Sequence, residues 1–559
     1  MLKKSALTVI LIIILTACSP SYSNPMQTLV PGWKTPDRDA TQTVTPFLPL
    51  ENDTPPAQDT TNSSISSPLT PNKTFVPISA PPSLKDAVQS WGKVVEDQPD
   101  AADAWLFANT EIGGNSNKFS AIYALVAPFP TLVDSISFPD VRNAWAGISS
   151  NEFAGRPILM DQSTYEAMQV LLGKPGDGAV KIVAASELLD AAWAERPAWA
   201  IVPFESLYPK WKVLEVDGQS PLRKEFDLSK YPLKLDFYCK GACGVLPASN
   251  RDQSKLTTVI MTGTTALVRA TASQMELHGS TFPANDIGEI LRSADILHIS
   301  NEVSFADDCP TPDPNSENMQ FCSNPKYIAL LENIGTDVIE LTGNHMNDWG
   351  SQWLATTVQM YKNLGWGYFG GGLNLSDSMK PYIIKNNGNR IAFIGCNEAG
   401  PQSVWATDTS PGAAPCGDYA WIYDEISKLR SQGFLPITTV QFNEYYQIPP
   451  SEAQARDFKR LSEAGAAVVS GSQSHFPQSF AFNGDSYIHY GPGNLFFDQM
   501  DYPVVGTRRA ALDRYTIYDG KIIGVELITT MLEDWSRPRL MTPEERHLFL
   551  QELFSASGW

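Results

Sequence analysis

Basic side chains are scarce in this 559-residue chain: 41 Lys and Arg stand against 61 Asp and Glu, a formal net charge of −20. Nucleic-acid binding draws its affinity from phosphate neutralisation by surplus Lys and Arg, so the balance argues for no nucleic-acid partner. Charged residues of both signs make up only 18%. Beyond the first residues no second long apolar run occurs, which excludes a multi-span membrane protein. Histidine appears six times and cysteine seven times, so a site built from either has few candidates. Proline is plentiful at 42 copies, too many for an all-helical protein. The 43% hydrophobic content is that of a globular chain, and the length implies at least two domains.

Lys3 and Lys4 precede an apolar stretch over 6–15, which ends in Leu15-Thr16-Ala17-Cys18. A basic start, a short apolar core and small residues before a cleavage point read as a secretory signal, not a spanning helix. The tetrapeptide resembles a bacterial lipobox. Residues 1–18 are therefore expected to be a lipoprotein signal peptide with Cys18 lipidated; an ordinary signal with an incidental Cys18 is the alternative. Lipidation would make the chain a cell-membrane lipoprotein, anchored but not spanning, facing the extracellular or periplasmic side. Residues 19–83 are rich in Pro, Thr, Ser and Asn. They carry too little apolar surface to offset ordering entropy, so a disordered tether is expected.

Six cysteines remain, in close pairs: Cys239 with Cys243, Cys309 with Cys322, and Cys396 with Cys416. In an exported protein such pairs imply local disulfides. Closing the two larger loops would contribute roughly 3 kcal/mol each. A zinc site is the alternative, but only Cys239 and Cys243 are closely spaced and no histidine lies near them.

Residues 84–250 alternate helix and strand: helices over 84–95 and 162–172, strands over 121–127, 180–184 and 198–202. This predicts a smaller α/β domain. The stretches 123–130 and 199–205, with Asp140-Val141-Arg142-Asn143-Ala144-Trp145, are similar to extracellular solute-binding proteins. That likeness implies a ligand cleft, for which Trp145, Trp199 and Trp211 are the candidate aromatic lining.

Residues 251–559 carry strands over 257–262, 296–299, 338–341, 437–440 and 467–469, and helices over 325–334, 352–364, 421–431 and 452–464. A hairpin-like pair falls at 382–384 and 391–394. A second hairpin is expected around Asp519-Gly520, a strong turn signal, and a final amphipathic helix over 543–554. In α/β sheets ligands gather beyond the carboxyl ends of strands. Those ends are followed here by Thr264, by Glu302, by Asn344 and His345, by Gln441 and Glu444, and by Gln473 and His475. Two imidazoles and two carboxylates on one rim suit a metal ion, an acid–base pair, or both. The structural alternative makes the histidines loop hydrogen bonders, the carboxylates solvated loop charges and Asn344 a turn former.

At these residues the chain resembles the CapA family of poly-γ-glutamate capsule proteins, over roughly 256–500. The likeness rests on Ala294-Asp295-Ile296-Leu297 leading to Asn301-Glu302, and on Gly343-Asn344-His345 followed by Asp348-Trp349-Gly350. Gly370-Gly371-Gly372, Glu444-Tyr445 with Pro449 and Gln454, Ala464-Gly465-Ala466 through Gly471 to His475, and Tyr490-Gly491-Pro492-Gly493-Asn494 closing on Asp498 complete it. The resemblance implies a calcineurin-like metallophosphoesterase fold, a layered α/β/β/α sandwich, for the carboxyl-terminal half.

The departures fall on the metal ligands the family would supply. Gly263 is followed by Thr264 where the family has Asp. The family's His-Trp-Gly-x-Glu survives only as Glu444, its histidine slot holding Val440, or Gln441 if a gap is allowed. In Gly471-Ser472-Gln473-Ser474-His475 the first histidine of the pair has become Gln473. Glu302, Asn344, His345 and His475 are left to hold one divalent ion (Mn, Zn, Mg or Ca) or none, with Glu444 nearby. A two-metal clamp needs more ligands than remain. The functions this leaves are a surface lipoprotein of capsule or exopolymer assembly, a mononuclear metal-dependent hydrolase using His345, His475 and Glu444, and a non-catalytic solute- or polymer-binding protein. The first implies an anionic exopolymer or capsule-assembly membrane proteins as partners. The net charge would repel a polyanion, so Arg508, Arg509 and Arg514 are the candidate basic patch.

Overall fold

Alternate residues of the strand Leu256–Met261 go to opposite faces, as the two-residue period of a strand demands. Val259 and Met261 join one core cluster, while Ile260 joins another. The same division runs through its neighbours and sets the layering of this region. The computed structural model describes residues 73–96, 99–109, 117–148 and 153–559, all of which belong to one compact unit. Cys18, the signal at 1–18 and most of the expected tether lie outside the described residues.

One sheet of the carboxyl-terminal half runs Gly367–Phe369, Val338–Glu340, Ile296–Asn301, Leu256–Met261, Arg509–Tyr518, Lys521–Glu533, Arg537–Leu540 in spatial order. Its first four strands are parallel and the rest antiparallel. The second sheet runs Tyr382–Asn386, Asn389–Asn397, Leu435–Gln441, Val468–Ser472, Ser486–His489, Phe480–Asn483. Between them lies a core of Val259, Ile296, Val338 and Tyr515 against Phe393, Ile437, Val468 and Tyr487. The outer face of the first sheet is covered from the helices Arg269–His278, Ile328–Asn333 and Ser351–Leu364 through Met275, Leu330, Leu354 and Val358. The helices Ala420–Ser431 and Glu452–Glu463 cover the second sheet through Ile422, Ile426, Phe458 and Leu461. The order is helix, sheet, sheet, helix, the expected α/β/β/α sandwich. The predicted hairpin closes at Asp519-Gly520 with φ of 50° and 77°, the double left-handed turn that favours glycine.

The preceding residues build a mixed sheet in the order Lys93–Val95, Lys73–Phe75, Ala104–Ala108, Lys234–Gly241, Lys118–Pro128, Trp199–Pro203, Ile158–Met160, Val180–Ile182. Two expectations change. The helix expected over 84–95 stops at Val88, and Lys93–Val95 becomes a strand parallel to Lys73–Phe75. The turn residue Gly92 (φ 158°) and the β-branched Val94-Val95 favour this outcome. That pairing also places a strand at Lys73–Phe75, inside the span expected to be tether.

This sheet docks on the sandwich. Phe129 sits among the rings of Phe480, Phe482, Tyr487, Phe554 and Trp559, with centroids 5.4–5.9 Å away. Asp134 accepts from Arg546 at 2.8 and 2.9 Å and from Lys212 at 2.7 Å. Arg223 reaches Glu526 at 2.8 Å. The disulfides join Cys239 to Cys243, Cys309 to Cys322 and Cys396 to Cys416, the local pairing that the spacing favours. Such bonds belong to an oxidising compartment. Among the described residues no helix is long and apolar enough to cross a membrane.

Candidate functional site

Parallel pairing of Ile296–Asn301 with Val338–Glu340, and of Leu435–Gln441 with Val468–Ser472, brings four carboxyl ends to one rim. Glu302 leaves the first strand, Asn344 and His345 follow the second, Gln441 ends the third, and Gln473 and His475 follow the fourth. The approach is close. A Cβ on Gly343 would stand 2.6 Å from the Glu302 Cα, and one on Gly471 would stand 1.9 Å from the Tyr490 carbonyl oxygen. Gln473 and His475 adopt φ of 75° and 49°, a conformation non-glycine residues hold only where their surroundings impose it.

The side chains meet over Glu302, which is 1% exposed. Gln441 Nε2 lies 2.7 Å from Glu302 Oε1 and 3.2 Å from Asn344 Oδ1, and it also faces Gln473 Oε1, three acceptors for its two protons. His475 Nε2 stands 3.9 Å from Glu302 Oε2. Its Nδ1 is 2.9 Å from Asn494 Oδ1, and Asn494 Nδ2 donates to the carbonyls of His475 and Thr507. Asn494 Oδ1 is thereby the acceptor, so His475 donates from Nδ1 and turns Nε2 to Glu302. His345 Nδ1 lies 2.6 Å from Asp348 Oδ2, which also accepts from the Phe321 backbone N–H at 2.9 Å.

These surroundings move the titrations. Burial pushes the Glu302 carboxyl upward, against the opposing pull of His475, His345 and the Gln441 hydrogen bond; the Glu444 charge adds to the rise. Burial acts to depress His345, but the Asp348 hydrogen bond and the Glu302 charge outweigh it, and the imidazole is held above its usual range. Behind the rim, Glu340 is fully enclosed. Burial acts to raise it, yet His298 and Thr342 hold it below the ordinary carboxylate range. The two buried carboxylates are thus pushed apart, Glu302 toward the proton and Glu340 away from it.

Not every expected residue reaches this centre. Glu444 is exposed on the loop beyond Gln441, where it accepts from the Tyr446 hydroxyl. Of the two candidates for the histidine slot, Gln441 points to Glu302, whereas Val440 packs with Phe442 and Phe458 on the helix side. Thr264 pairs in register with Asn494, and its hydroxyl is buried without a partner. Trp145, Trp199 and Trp211 do not form a shared aromatic lining: all are core residues, 2–3% exposed, and Trp211 borders a small cavity beside Asp161 and Tyr208. The expected basic patch is also neutralised. Arg508 pairs with Glu533 at 2.9 Å, Arg509 with Glu552 at 2.8 Å, and Arg514 is buried beside Glu526 at 3.8 Å.

Sequence reasoning missed Arg269. Its guanidinium lies 4.9 Å from the Phe321 ring centre and 5.2 Å from that of Phe497. Those rings contact His345 and His475 at 4.5 and 5.0 Å. Asp348 and Asn494, which orient the histidines, were legible only as motif members. Asp348 stands three positions after His345, the one local signal available.

A resident metal, as the family resemblance implies, needs at least three convergent donors with a free point between them. Among the described residues no group of three or more His, Cys, Asp or Glu side chains is placed to hold one. The oxygens of Glu302, Asn344 and Gln473 converge instead on the Gln441 amide nitrogen. As arranged, these residues do not fit a bound divalent ion.

Residues 258–499 match the family model described as bacterial capsule synthesis protein PGA_cap. The capsule biosynthesis protein CapA of Bacillus anthracis is 24% identical over 298 residues, 52% of this chain and 71% of that protein. The PGA biosynthesis protein CapA of Bacillus subtilis (strain 168) is 24% identical over 229 residues, covering 40% of this chain and 58% of that one. Among solved structures, the NAD nucleotidase of Haemophilus influenzae is similar with a TM-score of 0.29 and 9% identity, over 54% of this chain and 56% of its own.

Proposed function

We propose that this chain, whose residues 258–499 belong to the PGA_cap family of CapA proteins, serves in the synthesis, export or anchoring of an anionic capsule or exopolymer resembling poly-γ-glutamate. In this reading Cys18 carries the lipid anchor, residues 19–72 separate the folded part from the membrane, and capsule-assembly membrane proteins are the partners. The family match carries the proposal, and the buried Glu302, 3.9 Å from His475 and within electrostatic reach of His345, supports it. A protein of net charge −20 must meet a polyanion through a local exception to its field. The surface arginines are neutralised by carboxylates, and beside the rim Arg269 and His345 are paired with Asp498 and Asp348, so a bridging cation is the exception this reading needs.

The rim handles the polymer through hydrogen bonds and charge. His475 presents Nε2 to Glu302 with its tautomer fixed by Asn494, and His345 is aligned by Asp348. Such a pair suits binding and proton movement at a carboxylate or amide of the chain end. The test is complementation of a strain deleted for this gene, with exopolymer per cell as the readout and protein level checked by blotting. The wild-type gene should restore output, whereas His345→Ala/His475→Ala and Cys18→Ala should each reduce it several-fold. Full output from both variants at normal protein level would refute the reading.

A further inference from the structure

We infer that the Gln441 carboxamide is a built-in substitute for a cation: its nitrogen occupies the point on which the oxygen donors of the rim converge, so the wild-type chain keeps no divalent ion there. This goes beyond the exopolymer reading and does not rest on it.

The argument begins with counting protons. A primary amide nitrogen has two, yet Gln441 Nε2 faces three oxygens: Glu302 Oε1 at 2.7 Å, Asn344 Oδ1 at 3.2 Å, and Gln473 Oε1. One carboxylate and two carbonyl-type oxygens aimed at one point form a donor set that proteins otherwise present to hard cations. Gln441 and Gln473 are 0% and 5% exposed, so water does not compete for these contacts.

The amide is also held the right way round. Ser472 Oγ lies 2.9 Å from Gln441 Oε1 and 2.9 Å from Glu340 Oε1, with one proton to give. Glu340 already accepts from Thr342 and faces His298 Nε2 at 3.3 Å. The Ser472 proton is therefore free to fix Gln441 Oε1 on the inner side, which turns the N–H groups to Glu302. On the opposite side, Gln473, held in a left-handed backbone conformation, delivers its side-chain Oε1 to that nitrogen. A cation could enter only by displacing a buried amide that satisfies the charge already present.

Equilibrium dialysis of the full chain against Mn²⁺ and Zn²⁺, followed by elemental analysis and thermal unfolding, tests this. The wild type should retain background metal and show no metal-dependent change in Tm. Gln441→Glu keeps the shape but replaces two N–H donors by a carboxylate beside Glu302, so it should take up about one equivalent and gain Tm on metal addition. Gln441→His/Gln473→His, made in parallel in case that variant does not fold, should also bind about one equivalent and lose it with Glu302→Gln. About one equivalent in the wild type, lost in Glu302→Gln, would overturn the inference. A folded Gln441 variant that stays at background would overturn it as well.

Discussion

Arg269 grips Asp498 at two points, 2.5 and 3.1 Å, while the Ala270 backbone N–H adds a third contact at 3.0 Å. The pair fastens the start of the helix Arg269–His278 to the segment after Asn494–Phe496. In doing so it holds Phe321 and Phe497 on either side of the guanidinium, each ring backing one rim histidine. The Asp498 side chain is 7% exposed, so removing its partner leaves a nearly buried charge unpaired. Arg269→Ala should destabilise the chain by about 3 kcal/mol in urea unfolding. Arg269→Lys should recover only part of that, because an ammonium provides neither the fork nor the flat stack.

The docking of the first sheet should loosen in acid. Burial would raise the Asp134 carboxyl, but Arg546 and Lys212 hold it at about 2, below its ordinary 3.8. The unfolded chain therefore binds the proton first as pH falls. The stabilisation is complete above 3.8 and is lost progressively down to about 2. Asp134→Asn should flatten the fall of Tm across that window, measured against the wild type in matched buffers.

Phe129 is 3% exposed within its cage of rings. Phe129→Ala should cost about 3–5 kcal/mol by leaving a cavity in a rigid aromatic cluster. Near-ultraviolet circular dichroism should weaken in step, since Trp559 loses a neighbour at 5.8 Å.

The disulfides should differ in worth. Cys396 and Cys416 are fully buried and span 20 positions, so Cys396→Ser/Cys416→Ser should lose about 3 kcal/mol. Cys239 and Cys243 are four apart and only partly covered. Their double serine variant should lose less, and mild reductant should open that bond before the buried one.

Much of the sandwich was legible because its strands are short apolar runs with turn chemistry between them. The helix Gln162–Leu172 lies where its periodicity places it, and the hairpin closes at Asp519-Gly520. The helix over 84–95 failed because a partner strand, Lys73–Phe75, recruited Lys93–Val95; propensity yields to such pairing. The tryptophans failed for a related reason. A Trp in an apolar run is read the same way whether it ends in a cleft or in the core, and only packing from Ile122, Leu125, Met168 and their neighbours decided for the core.

By itself the sequence determined the strand ends, the cysteine pairs and the CapA resemblance, since each is carried by local pattern and spacing. Which side chains complete the site was decided by tertiary structure. Gln441 and Glu302 are 139 positions apart, and only the facing of two sheets makes one the hydrogen-bond donor of the other. Arg269 and Asp498 are 229 apart. Alternation along a strand says that Val440 and Gln441 point opposite ways; the layers on either side say which of them faces the rim.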